Sequence, residues 1–276
     1  MRAGLLALLL LAGCAREMPA RPALYVLRDA DTTIWLLGTV HFLPPGVRWE
    51  TPAVKRAIAD SAMLVGELPG DADASTAFAQ ASEGRGLPPL AARVPPGDQA
   101  RLKAAMKDCG GARLDRLKSW AAALVLSACG AAAAGGDPEH GVESVLARRF
   151  AGRSRLGLET VAGQFALFDG LGETDQRRLL RASLAAGADY RALLGAWTAG
   201  DEARLAALIA RSFAGAPTLK ATLLDQRNAR WSAWIGDRMR KPGKLLIAVG
   251  AGHLAGSGSV IARLRAAGFR IERVGG

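Results

Sequence analysis

Two of the three histidines lie in the same sequence pattern. His41 ends the sequence GTVH, which follows the apolar, β-branched segment 32–37, and His253 ends GAGH, which follows the apolar segment 244–249. Both segments are predicted to be buried strands, and the glycines allow the chain to turn sharply after them. Because the carboxyl ends of strands in an open α/β sheet form the ligand crevice, both imidazoles are expected at one edge of a sheet.

Two glutamates have equivalent positions, at the ends of two further predicted strands. Glu67 follows the segment 62–66, and Glu159 follows the segment 154–158. Two imidazoles with one or two carboxylates are a ligand set for zinc, manganese or cobalt. A bound divalent metal would produce a hydroxide nucleophile near neutral pH and polarise a carbonyl. A carboxylate that does not bind the metal could transfer protons.

These residue types predict a divalent-metal site with His41, Glu67 and His253 as ligands. Glu67 is alternatively a general base, and Glu159 is expected beside the ligands. Arg227 lies on a predicted helix with apolar neighbours, where a guanidinium needs a carboxylate or a substrate oxyanion as its partner. A salt bridge to one of the two glutamates and a direct contact with substrate both remain open. The third histidine is interpreted as a surface or structural residue.

The elements that must position these residues are strands at both ends of the chain with helices between them. Further strands and helices are predicted at 62–66, 154–158, 269–274, 52–60 and 258–267. This order predicts an α/β domain over residues 24–276. Its central sheet, mixed or parallel, is formed by the N- and C-terminal segments, and a large helical insertion covers about 75–150 and 161–238. The apolar segment 120–134 is short for a membrane span and is predicted to be a buried helix.

The first residues are typical of an export signal. One arginine precedes the apolar run 5–12, and the run ends in LAGC, which resembles the lipobox of bacterial lipoproteins. Residues 1–13 are therefore predicted to be a removed signal peptide, Cys14 the lipidation site and residues 14–23 a lipidated tether. Alanine rather than aspartate follows Cys14, which favours an anchor in the outer membrane that faces the periplasm. An ordinary signal peptide is the alternative.

The remaining cysteines and the net charge bear on the compartment and the partners. Cys109 and Cys129 are a candidate disulfide in an oxidising compartment, and two buried thiols are the alternative. The formal net charge is +11. It arises from basic residues spread over helix faces, or from a patch for an anionic membrane or polysaccharide. Since no five basic residues are consecutive, no nucleic-acid partner is expected.

The same residues resemble the TraB/GumN family, which is related to the Tiki metalloproteases and, more distantly, to erythromycin-esterase-like enzymes and haem-binding lipoproteins. The resemblance covers roughly residues 24–276. It rests on LLGTVHFLPP at 36–45, Glu67, GLET at 157–160 with Gln164, Arg227-Asn228 before Trp231, and AVGAGHL at 248–254.

The resemblance implies that His41, Glu67 and His253 are the central polar residues and that Arg227 assists them as a catalytic residue. Arg227 and Asn228 are also expected to contact the substrate. Glu159 is included among the catalytic candidates because it also ends a strand. The Tiki relatives imply metal-dependent cleavage of a peptide, with manganese or cobalt favoured. The predicted function is thus that of an envelope lipoprotein with a metal-dependent hydrolase site, acting on a peptide or another envelope substrate.

Other classes of function use the same residues or fit them poorly. A metal-free, esterase-like hydrolase would use a histidine as general base and a glutamate to orient it. A lipoprotein without catalysis would bind haem, a metal or an envelope polymer through the histidines. A dinucleotide site at the glycines 250–252 is disfavoured because only four residues follow Glu272, its expected acidic partner. No G-x-S-x-G motif supports a serine nucleophile. The sequence does not predict an oligomeric state.

Overall fold

The computed structural model describes residues 17–70 and 73–275. The predicted signal peptide, residues 1–13, and the predicted lipidation site, Cys14, lie outside these ranges. Both therefore stay predictions.

Eight strands and twelve α-helices lie within the described ranges. The strands are β1 (Met18–Pro19), β2 (Leu24–Arg28), β3 (Thr32–Thr39), β4 (Val47–Arg48), β5 (Met63–Gly66), β6 (Ser154–Gly157), β7 (Gly243–Gly250) and β8 (Ile271–Arg273). The helices are α1 (Pro52–Asp60), α2 (Ala74–Ser82), α3 (Gln99–Lys107), α4 (Ser119–Ala133), α5 (Val142–Arg149), α6 (Val161–Asp169), α7 (Glu173–Ser183), α8 (Ala186–Ala199), α9 (Glu202–Ser212), α10 (Pro217–Lys220), α11 (Gln226–Arg238) and α12 (Val260–Ala266).

Six of these strands form a mixed sheet in the order β6-β5-β7-β3-β2-β8. The strands β6, β5, β7 and β3 run parallel to one another, and β2 is antiparallel to both β3 and β8. The predicted fold class, an α/β domain whose sheet is built from both ends of the chain around a helical insertion, is confirmed. The four parallel strands are those predicted to carry the candidate site residues.

The sheet is covered by helices on both faces, because its central strands are apolar on both sides. Residues such as Trp35, Leu37 and Leu246 pack with α1, α5, α8 and α9 on one face. Their neighbours Ile34, Leu36 and others pack with α11 and α12 on the opposite face. The carboxyl ends of the parallel strands are therefore held between two apolar layers.

The predicted strands differ from the observed ones mainly at their ends. The last strand is shorter than the predicted 269–274, since it covers Ile271–Arg273. No strand is predicted for 24–28, yet β2 lies there and four of its five residues are buried between β3 and β8. The reason is that a short apolar run has no alternation that would distinguish a strand from a buried helix.

The helical insertion has a small apolar core of its own. Leu102, Leu126 and Leu180, from α3, α4 and α7, meet in this core. The apolar segment predicted as a buried helix is α4, whose residues Trp120–Ala123 are almost fully buried. Among the described residues, no helix has both the length and the apolar character needed to cross a membrane.

Part of the predicted tether packs on the domain. Strand β1 pairs in parallel with β4, and Ala20 and Ala23 are buried. Met18 also donates a backbone hydrogen bond to Gly46. Only residues 14–16 of the predicted tether lie outside the described ranges.

Candidate functional site

The two G-x-x-H turns leave neighbouring strands at the same level. Strands β3 and β7 are paired in parallel register, so that Gly38 lies opposite Val249 and Thr39 lies opposite Gly250. The turns approach closely, because a Cβ atom at Gly38 would lie 3.2 Å from the Cα of Ala251. Parallel register thus brings both turns to the same edge of the sheet, where strand-end residues were expected.

The two glutamates come to this edge from β5 and β6. The backbone N–H of Glu159 donates to the carbonyl oxygen of Glu67 at 2.9 Å, which continues the parallel pairing beyond the strands. The Oε1 atom of Glu67 accepts a hydrogen bond from the backbone N–H of Gly250 at 2.8 Å. A Cβ atom at Gly250 would lie 3.1 Å from that oxygen, so glycine leaves room for the carboxylate.

Arg227, on α11, lies between the two carboxylates. Its Nε donates to both oxygens of Glu159 at 3.0 and 3.1 Å, and its Nη2 contacts Glu67 at 2.6 Å and Glu159 at 2.9 Å. Its Nη1 contacts His253 Nε2 at 3.2 Å and the carbonyl oxygen of Leu223 at 3.3 Å. These contacts involve all three guanidinium nitrogens. The guanidinium carbon also lies 4.7 Å from the centroid of the Trp231 ring.

A π-helical turn over Ala221–Asp225 precedes α11. In this wider turn the backbone hydrogen bonds shift by one residue relative to an α-helix. The carbonyl oxygen of Leu223 accepts the side chain of Arg227, four residues further on. The local backbone therefore helps to orient the guanidinium towards the sheet edge.

The protonation of His253 is determined by its neighbours. Asn228 is fully buried, and its Nδ2 donates to the carbonyl oxygen of Gly258 at 3.0 Å, so its Oδ1 is the atom that faces His253 Nδ1 at 2.7 Å. An amide oxygen only accepts, hence Nδ1 carries the hydrogen and Nε2 accepts from Arg227. Burial lowers the pKa of His253 to about 4, so the ring is neutral at pH 7.

Glu67 is ionised in this setting. Burial alone would raise its pKa, but the charges of His253, Arg227 and His41 outweigh burial and lower the pKa to about 2. At neutral pH, where His253 is uncharged, the Arg227 guanidinium is the charge in direct contact with the carboxylate. Gln164 adds a third partner, since its Nε2 lies 3.3 Å from Glu67 Oε2. We name Glu67, Glu159, Arg227, Asn228 and His253 the buried cluster.

His41 has a different environment. Its side chain is 67% exposed, and its Nδ1 lies 3.1 Å from Oε1 of Glu143, which is on α5. The hydroxyl of Thr39 donates to the same carboxylate oxygen. The negative charge of Glu143 raises the pKa of His41 to about 9, so the ring is protonated at pH 7. We name His41 and Glu143 the cavity pair.

A cavity of about 460 Å³ connects the two groups. The polar side chains that line it are those of His41, Glu67, Glu143, Ser144, Arg155 and Gln164. The other side chains that line it are mostly apolar: Leu64, Leu68, Pro69, Ala74, Leu146, Ala147, Leu156 and Ala248. Glu67 is the member of the buried cluster that reaches the cavity wall. A ligand in the cavity would therefore meet an ionised carboxylate and a protonated imidazole.

The donor atoms do not fit a metal held between His253 and Glu67. His253 Nδ1 carries the hydrogen that Asn228 accepts, and the lone pair of Nε2 accepts a hydrogen bond from Arg227, so neither nitrogen has a lone pair free for a metal ion. Within residues 17–70 and 73–275, no three His, Cys, Asp or Glu side chains are grouped as a metal site. The metal ligands expected from the sequence therefore stay a prediction.

The remaining candidate residues are placed as follows. Both ends of the Asn228 amide are hydrogen-bonded inside the protein, so the predicted substrate contacts of Arg227 and Asn228 stay predictions. Cys109 and Cys129 are not bonded to each other. Burial and a hydrogen bond with Cys129 raise the pKa of the Cys109 thiol to about 12, and the disulfide stays a prediction. The third histidine, His140, is partly exposed and lies 2.9 Å from Asp137.

Glu143 is the functional candidate that sequence reasoning missed. It belongs to a helix rather than to a strand end, and its chain position has no spacing relation to His41. The one available signal is the glycine before α5, since a Cβ atom at Gly141 would lie 2.1 Å from the carbonyl oxygen of His41. Such a glycine indicates a close approach but does not identify the partner.

The parallel sheet edge, the two glycine–histidine turns and the shared cavity define an α/β protein with a polar site at the carboxyl ends of its strands. The chain belongs to the TraB/PrgY/gumN family, whose family model matches residues 23–273. Neither the curated proteins nor the solved structures include a match to this chain.

Proposed function

We propose that this protein is a hydrolase of a carboxylic ester or amide that works without a metal ion. In this proposal the Glu67 carboxylate accepts a proton from water, and the His41 imidazolium donates one to the leaving group. The supporting observation is that both side chains line one cavity while their pKa values lie at about 2 and about 9. Environments that separate the pKa values of two groups are the pattern of an acid–base pair.

In the proposed reaction, His41 and Glu67 transfer protons, and the other residues of the buried cluster hold Glu67 in place. Water attacks the carbonyl carbon as its proton passes to Glu67, and the bond to the leaving group breaks as His41 supplies a proton. The Gly250 N–H, Arg227 and Gln164 orient Glu67. The proton that Glu67 has gained returns through solvent to His41, so the enzyme ends in its starting state. Glu159 and Arg227 act by holding Glu67.

A metal-dependent hydrolase is the related proposal that the family resemblance implied. A divalent metal would supply a Lewis acid and an activated water. The saturation of Arg227 and of both His253 nitrogens supports the metal-free version. One experiment distinguishes the two proposals: the protein is dialysed against a strong chelator, and its metal content and its activity are then measured. We expect unchanged activity in metal-free protein, and activity that returns only with added manganese, cobalt or zinc would contradict the proposal.

The test uses a panel of aryl esters, aryl amides and peptides with single-residue variants. Glu67→Gln and His41→Gln should each lower kcat by about 10²- to 10⁴-fold, as expected for loss of a proton-transfer group. Glu139→Gln and His140→Gln are matched controls on exposed residues and should retain activity. Activity that survives in both site variants would contradict the assignment. The assignment would also be contradicted if the protein hydrolysed none of these substrates and bound haem through His41.

Anchoring in the cell envelope is the second part of the proposed function. The export signal and lipobox-like LAGC support a lipid-anchored protein that faces the periplasm and acts on an envelope substrate. Cys14→Ser should move the protein from the membrane fraction to the soluble fraction, while Cys129→Ser should leave it in the membrane fraction. An unchanged distribution of the Cys14→Ser protein would contradict the anchor.

A further inference from the structure

The first turn of α5 lies directly against the His41 turn. The backbone N–H of Val142 donates to the carbonyl oxygen of Val40 at 3.1 Å. Glycine is required just before the helix, because a Cβ atom at Gly141 would lie 2.1 Å from the carbonyl oxygen of His41. The backbone of the two elements is thus in contact, and this contact delivers Glu143, in the first turn of α5, to the His41 ring.

The carboxylate of Glu143 is itself held in place. Its Oε1 accepts from the hydroxyl of Thr39, which is 2% exposed, and lies 3.1 Å from His41 Nδ1. Its Oε2 is buried and, within the described residues, has no hydrogen-bond partner. Both contacts therefore involve a single oxygen, which is fixed from the strand side by Thr39. The N-terminal turn of a helix is also a favourable place for a negative charge.

This geometry determines which ring nitrogen faces a substrate. An ionised carboxylate only accepts hydrogen bonds, so His41 Nδ1 must carry a hydrogen wherever this contact is made. The Nε2 atom is then the nitrogen that remains for proton transfer, on a ring that lines the cavity. A proton-transfer histidine that is oriented through its second nitrogen is a recurring arrangement in active sites.

We propose that Glu143 is a positioning residue, which holds the His41 ring with Nδ1–H on the carboxylate and Nε2 towards the cavity. The inference rests on the proposed function for the role of His41 in catalysis. The orientation of the ring can be measured without any substrate. Failure of the positioning role and failure of the hydrolase are therefore distinguishable.

The test compares Glu143→Leu, which removes the acceptor, with Glu143→Gln, which keeps an amide oxygen in reach of Thr39 and His41. The readout is the ¹⁵N NMR spectrum of the histidine rings in the folded protein, with His140 and His253 as internal references. Folding of each variant is checked in the same samples from the backbone amide spectrum. Glu139→Gln, an exposed glutamate before α5, is the matched control.

We expect the neutral His41 ring of the wild type to be the Nδ1–H tautomer and that of Glu143→Leu to shift towards Nε2–H. Glu143→Gln should retain the Nδ1–H tautomer, and the control should match the wild type. In the hydrolysis assay, Glu143→Leu should lower kcat by about 10²-fold with little change in KM, since a misoriented proton donor affects the chemical step. Glu143→Gln should recover part of that loss.

An unchanged His41 tautomer in Glu143→Leu would overturn the positioning role, whatever the activity. A tautomer shift in a protein that hydrolyses nothing would sustain the positioning role and overturn the hydrolase. A loss of kcat in Glu143→Leu without a tautomer shift would mean that Glu143 acts in another way, and it would also overturn the inference.

Discussion

The histidine of the buried cluster and that of the cavity pair differ in both charge state and solvent exposure. His253 is neutral, enclosed and hydrogen-bonded at both nitrogens, whereas His41 is protonated and two-thirds exposed, with one carboxylate as its partner. The same G-x-x-H turn therefore gives two different groups, because the helix that packs on each turn differs. Helix α11 brings the Arg227 guanidinium to His253, and α5 brings the Glu143 carboxylate to His41. The charge of the one side chain that each helix places against the ring, together with the burial of the ring, determines the protonation state of that imidazole.

The largest expected effect is on the buried cluster. Arg227→Met would leave the carboxylates of Glu67 and Glu159 buried without their guanidinium, so we expect a loss of about 4 kcal/mol in the free energy of unfolding. Arg230→Met is the matched control, because Arg230 contacts Glu159 at 3.3 Å but is 51% exposed. It should cost less than about 1 kcal/mol. Chemical denaturation measures both values, and equal values would show that burial does not distinguish the two arginines.

The second prediction concerns the pH dependence of the free energy of unfolding that arises from His253. The pKa of His253 is about 4 in the folded protein against 6.5 in the unfolded chain. The unfolded state binds more protons between these values, so this contribution to stability is present above pH 6.5 and is lost as the pH falls towards 4. We expect the wild type to lose on the order of 3 kcal/mol more than His253→Gln over this range. Urea denaturation measures both free energies of unfolding. If they changed with pH to the same extent in the wild type and in His253→Gln, the neutral, buried ring would be contradicted.

His41 should show the opposite dependence with a smaller amplitude. Its folded pKa of about 9 lies above the unfolded value of 6.5, so its contribution is present below pH 6.5 and is lost as the pH rises through 9. The amplitude is smaller because solvent screens the charge of Glu143 at an exposed ring. Denaturation of His41→Gln between pH 6.5 and 9.5 should lack this loss, while His140→Gln should retain it. A loss that persists in His41→Gln would place its origin elsewhere.

The smallest effect concerns the hydroxyl that fixes Glu143. Thr39→Val keeps the shape of the side chain and removes the donor, so we expect a cost of about 1 kcal/mol in the free energy of unfolding. Thr33→Val, on the same strand, is the matched control and should be close to neutral. The ¹⁵N spectrum of Thr39→Val should also show a less uniform His41 tautomer. If the spectrum of Thr39→Val matched that of the wild type, Thr39 would not be needed to hold the cavity pair.

The parts of the site that follow a strand could be predicted from the sequence. The apolar segments before His41, Glu67, Glu159 and His253 identify parallel strands, and parallel strands bring their carboxyl ends to one edge. The partner of each side chain could not be predicted in the same way. Whether Arg227 contacts substrate or carboxylate depends on the distance between α11 and the sheet, and the pairing of Glu143 with His41 depends on how closely α5 packs.

The same limit applies to the fold. The longer buried runs of β3 and β7 are recognisable as strands, but the four apolar residues of β2 form too short a run to distinguish a strand from a buried helix. Its place between β3 and β8 follows from tertiary packing. A short buried run thus stays ambiguous in the sequence, even though longer buried runs in the same sheet are identified.

The parallel pairing of β3 with β7 has a consequence for redesign. Backbone hydrogen bonds, rather than the histidines themselves, place the two turns side by side. Replacing either imidazole by another side chain should therefore leave the frame unchanged, and a slip of one residue between the strands would turn a whole strand's side chains to the other face. This edge is consequently a scaffold on which a different pair of reactive groups could be installed at a known separation.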